Sequence, residues 1–183
     1  MTLSKKERKY AEEQQLSEHF TLYEMIKSAK RPDLVVIPDE SIIAKGEEFA
    51  KGVLEPLRAE CHNSSPLRIN SWYRNAALNA APEIGGVKHS IHQIFYMNRF
   101  LGVAADIVPA DIYSLFAKLA TWSNSMLKKV ILYPGRGFIH VDSNVDLINR
   151  AFYVKIGKDY KLLTVAEAQD IKNTLKQKFS IKV

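Results

Sequence analysis

Four short apolar stretches crowd into the last third of the chain: "KKVILYP", "GFIHVD", "RAFYVKI" and "DYKLLTV". Each has the length and the β-branched or aromatic content of a strand, and turns separate them. "PLRINSWYR" reads as a further short strand running into a loop, and "GVAADIVPA" as a buried one. Helical patterns come mainly before them. Ile42, Ile43, Phe49, Val53, Leu54 and Leu57 are spaced for one helix, with Pro56 predicting a kink. "LSEHFTLYEM" predicts a turn entering a short helix through a Thr21–Glu24 capping box, and "NAALNAAPEIGG" a helix fragment ended by Gly85 and Gly86. "ADIYSLFAKLATWSNSML" is an amphipathic helix, and Thr164 with Glu167 opens a last one, "VAEAQDIKNTLKQKF". Helices first and strands late predict an α+β fold, a single domain with a mostly antiparallel sheet flanked by helices.

The chain of 183 residues suffices for one domain with a real core. Nothing approaches the ~20 apolar residues of a membrane-spanning helix. Residues 1–15 are polar, an arm or a helix, with no apolar stretch that would make a secretory signal, so synthesis in the cytoplasm is expected. Cys61 is the single cysteine, which excludes an internal disulfide and a thiol-rich zinc site. The net charge is +6, but lysines and arginines are scattered, without an Arg-rich stripe, so nucleic acid is not the expected partner. A mild positive charge suits an anionic surface such as a cell wall equally well.

A catalytic zinc takes His nitrogen and carboxylate oxygen from three side chains and keeps one position open. His92, Asp106 and His140 offer such a set. Asp106 lies near the end of an apolar strand, where a carboxylate needs a partner. Strand alternation puts Phe138, His140 and Asp142 on one face, so Asp142 is expected either to orient His140 or to work on a water at the metal. His19, His62 and His89 are read as structural or exposed.

"LSEHFTLYEM", "PLRINSWYRNAALNAA", "GGVKHSIH", "GVAADI" and "GFIHVD" follow one another as in zinc D-alanyl-D-alanine carboxypeptidases and related phage peptidoglycan endopeptidases. The chain resembles that family, whose fold the hedgehog zinc domain shares, over roughly residues 16 to 145. The family's Ser-x-His, Gly-x-Ala-x-Asp and distal strand His fall on Ser90 and His92, on Gly102, Ala104 and Asp106, and on His140. The resemblance implies zinc on His92, Asp106 and His140. It also implies a peptidoglycan peptide bound by Arg74, Tyr73 and Ser90, with Arg74 serving the substrate rather than the fold. An Arg fork matches a carboxylate. The peptidase-like domain would span 16–150, followed by a hairpin and helix extension over 151–183.

Two departures stand out. "QIFYMNRFLGVAA" separates His92 from Asp106, where the family has about half that length. An insert this apolar is expected to pack, as a flap over the site or, through residues 93–101, as a surface for a partner such as a virion protein. Many relatives also carry a carboxylate three residues before the distal His. That position is Gly137, and no Asp or Glu lies between Ile112 and Ile139, so Asp142 is named as the catalytic base. The expected function is a zinc-dependent peptidase cleaving peptidoglycan stem peptides, reaching the wall after lysis or in a virion. The alternative is a non-catalytic relative, a structural or wall-binding component of a phage particle.

Overall fold

The computed structural model describes residues 2–181. The chain opens with α1 (Lys5–Glu13) and α2 (Leu22–Ile26). Both start in capping boxes, Ser4–Glu7 and Thr21–Glu24, which satisfy backbone N–H groups that a helix start otherwise leaves open. α3 (Glu40–Phe49) continues through two wide π turns, Ala50–Leu54 and Leu57–Cys61, on either side of Pro56. Proline has no N–H for the ladder and crowds the preceding turn, and the wide turns absorb this without breaking the helix. β1 (Arg68–Ser71) leads to α4 (Ala76–Ala80). That helix stops well before Gly85, because Pro82 holds Ala81 in an extended conformation, φ −63° and ψ 132°.

β2 (Phe95–Tyr96) and β3 (Arg99–Phe100) pair as a small hairpin. β4 (Ala104–Val108), α5 (Ile112–Thr121), β5 (Lys129–Tyr133), β6 (Phe138–Asp142), β7 (Ala151–Ile156) and β8 (Asp159–Leu163) follow. The last helical pattern is broken at Asp170 into α6 (Val165–Gln169) and α7 (Ile171–Phe179).

Six strands form one sheet in the order β1-β4-β6-β5-β7-β8, antiparallel throughout except between β5 and β7. Alternation gives the sheet two chemically different faces. Val130, Leu132, Ile139, Val141, Phe152 and Val154 are buried in the core on one face. Phe116 of α5 meets Phe152 there edge-on, ring centroids 6.0 Å apart. Asp106, His140, Ile131 and Tyr153 lie side by side on the other face. The β7–β8 hairpin extends this same sheet, so residues beyond 150 build part of that second face.

Candidate metal centre

Asp106 and His140 are register partners on adjacent strands, so their side chains rise from the sheet next to each other. Gly102 makes the approach of β4 feasible. Its φ is +119°, and a Cβ there would sit 2.7 Å from the carbonyl oxygen of Ser143. His92 comes from outside the sheet, on a 3-10 turn spanning Ile91–Gln93. That turn is tied to the end of β1 twice: Arg74 N donates to His92 O at 2.8 Å, and His92 Nδ1 donates to Trp72 O at 2.6 Å. His92 Nε2 then lies 3.3 Å from Asp106 Oδ1, and His140 Nδ1 lies 2.9 Å from the same oxygen.

These three buried residues could hold a metal ion: one ligand atom from each lies within 4.8 Å of the others. The groups behind the ligands fit that role. The Trp72 carbonyl can only accept, so His92 carries its proton on Nδ1 and turns Nε2 inward. Asp142 accepts from His140 Nε2 at 2.9 Å and leaves Nδ1 facing the centre. Such outer partners fix imidazole tautomers and orientation at metal sites. Two imidazole nitrogens with one carboxylate oxygen suit zinc or a similar borderline cation.

Burial pushes Asp106 up, but facing His92 and bonded His140 outweigh it and hold the carboxyl well below its usual range. His140 is pushed up to about 9: burial opposes its charge, and hydrogen bonds to Asp106 and Asp142 more than compensate. Burial lowers His92, with Asp106 only partly offsetting it.

The centre opens into a cleft of about 620 Å³. Cations Arg74, Lys129, Arg136 and Lys155 line it, whereas Asp106 is its single carboxylate among the described residues. Tyr133, Phe138, Tyr153 and Tyr160 supply its aromatic wall. Arg74 is at the cleft, yet it is also bound into the site: Nη2 donates to Asp106 Oδ2 at 2.9 Å and Nε to Ser71 Oγ at 2.8 Å. The expectation that Arg74 serves only a substrate is therefore corrected. Ser90 lines the cleft, and its hydroxyl has no hydrogen-bond partner among the described residues.

Tyr73 stands elsewhere than expected, and of the two roles expected of Asp142 its contacts match the orienting one, not that of a base. Tyr73 packs in the hydrophobic core and does not line the cleft. Asp142 is fully buried behind His140, bonded to its Nε2, to Lys129 Nζ at 3.2 Å and to Asn144 N at 3.0 Å. It holds the position of an orienting group and does not line the space where a base would meet a substrate.

The insert is a hairpin whose tip residues Met97 and Asn98 both have positive φ, 48° and 64°. Ile94 and Leu101 are buried at its base, and Phe95 packs on Phe100 with ring centroids 5.4 Å apart. Lys45 lies over the Phe100 ring, and Arg99 pairs with Asp146. Residues 93–101 contribute nothing to the cleft lining, so they do not form the expected flap. Tyr96 touches the cleft's edge only through the ring of His89, 4.4 Å away.

The sequence reading missed His89, Lys129, Tyr133, Arg136, Tyr153 and Lys155. A period-2 signal was present, with Lys129 and Tyr133, then Tyr153 and Lys155, at alternate positions of their strands. Only the register, however, assigns those positions to the face of His140. Comparisons with protein-family models, curated proteins and solved structures found no match. No helix among the described residues is long and apolar enough to cross a membrane.

Proposed function

We propose that the protein is a zinc-dependent peptidase acting on the stem peptides of peptidoglycan. The observation that carries this reading is the convergence of His92, Asp106 and His140 at the floor of a cationic cleft. The ordered motifs that resemble zinc D-alanyl-D-alanine carboxypeptidases and phage endopeptidases point the same way. Zinc bound there supplies a Lewis acid that polarises a carbonyl and activates water near neutral pH. The protein's own groups prepare the site. Trp72 O and Asp142 hold the two imidazoles in their ligating orientation. Arg74 Nη1 has no hydrogen-bond partner among the described residues and can donate to a substrate carboxylate. The surplus of cleft cations draws an acidic peptide in. Action at the wall would follow lysis or delivery in a virion.

One observation favours a second reading. Among the described residues the cleft has no carboxylate besides Asp106, and that one is committed to the centre. A non-catalytic relative that binds wall peptides through the same site fits this, as a structural or wall-binding part of a phage particle. Zinc loading followed by incubation with cell-wall sacculi separates the two. Equimolar zinc with release of free amino groups supports the peptidase. Equimolar zinc without release supports the binding protein, and failure to retain zinc overturns both.

A further inference from the structure

Strand register carries the face of the metal centre across the rest of the sheet. His140 lies beside Ile131, Ile131 beside Tyr153, and Tyr153 beside Leu162. One step along, Phe138 lies beside Tyr133, and Lys155 beside Tyr160. The Tyr133 and Tyr160 hydroxyls meet at 3.1 Å across β7, and Lys155 Nζ sits 3.9 Å above the Tyr160 ring centroid. The β7–β8 hairpin thus builds the end of the cleft away from His92. Arg136 joins it from the turn that follows Tyr133.

Charge is distributed unevenly in this cleft. Arg74 is paired with Asp106, and Lys129 with Asp142. Arg136 and Lys155 have no carboxylate within ion-pair reach among the described residues. The Lys155 ammonium donates only to the Lys158 carbonyl. The nearby Asp159 is paired with Lys161. Two uncompensated cations beside the half-buried Tyr153 and the exposed Tyr160 suit an anionic group that arrives with a ligand.

We propose that Arg136 and Lys155, walled by Tyr153 and Tyr160, form a second anion subsite. It takes a side-chain carboxylate of a peptide whose other end lies at the metal centre. β7 and β8 stand two and three strand spacings from β6, or roughly 10–14 Å at ~4.8 Å each. An extended peptide covers that in about three to four residues. The direction of the bound peptide rests on the peptidase reading, whereas the subsite itself rests on the sheet and its charges.

Binding, not turnover, tests this. The probe is an acetylated tetrapeptide with a free C-terminal carboxylate and glutamate at its first position, compared with its glutamine analogue by calorimetry on the zinc-loaded protein. The glutamate peptide should bind about tenfold more tightly. Arg136→Gln with Lys155→Gln should abolish that preference and leave the glutamine peptide unchanged within about twofold. Lys158→Gln, on the same hairpin but outside the cleft, keeps the backbone carbonyl that Lys155 uses and should keep the preference. Equal affinities in the parent protein, a preference that survives the double substitution, or no binding of either peptide overturns the proposal. A preserved charge preference with uncut peptides would instead count against the peptidase reading alone.

Discussion

Asp142 accepts a hydrogen bond from His140 Nε2 at 2.9 Å, while Nδ1 of the same ring lies 2.9 Å from Asp106. One imidazole is thereby held between two buried carboxylates, one in the cleft and one behind it. This arrangement fixes which nitrogen faces a metal ion.

Replacing Asp142 with Asn keeps an acceptor for Nε2–H but removes the charge behind the ring. Metal affinity should fall ~10–100-fold, the usual effect of losing such an outer partner. Competition with a chromophoric chelator measures it. Unchanged affinity would mean that Asp142 has no hold on the ligand.

Arg74→Ala should destabilise the metal-free protein by about 1–3 kcal/mol, because Asp106 and Ser71 lose donors in a buried setting. Arg74→Lys keeps the charge but not the planar fork, and should recover only part of the loss. Thermal unfolding reads both. A melting temperature unmoved in Arg74→Ala would return Arg74 to a purely substrate-facing role.

The metal-free protein should lose stability as pH rises above neutrality. His140 is pushed up to about 9 in the folded chain, against ~6.5 when unfolded. The folded state therefore holds a proton that the unfolded state releases between those values. The resulting stabilisation is complete below ~6.5 and disappears as pH climbs through about 9. Metal must displace this proton, so apparent affinity should rise about tenfold per pH unit across that window. Denaturation and chelator competition at several pH values test the two halves. A flat affinity profile would show His140 to be neutral throughout.

In the insert, Met97 occupies φ +48° at an exposed hairpin tip. Met97→Gly should stabilise the fold by about 0.5–1 kcal/mol, since glycine adopts that backbone without strain. Ile94→Ala should cost ~2–5 kcal/mol, because that side chain is fully buried at the hairpin's base. Denaturant midpoints decide both. In neither variant should metal binding change, as no residue of the hairpin belongs to the His92, Asp106 and His140 group.

Local chemistry in the sequence determined the α+β class, the Thr21–Glu24 and Thr164–Glu167 helix starts, and the common face of Phe138, His140 and Asp142. The helix starts and the shared strand face depend on neighbours within four residues, and the class follows from the order of such local elements along the chain. The late strands were legible for the same reason, through their apolar alternation. Which strands pair is a matter of long-range contacts, and only the tertiary structure decided it. The β4–β6 register puts Asp106 beside His140, and the parallel β5–β7 pair brings Tyr153 and Lys155 into the cleft. Packing likewise placed Tyr73 in the core, Asp142 behind His140 rather than in the cleft, and the 93–101 insert away from the cleft as a hairpin. Those outcomes depend on which surfaces remain to be buried once the sheet has formed; for Asp142, alternation puts it on the face of His140 but does not say that packing closes it off from the cleft.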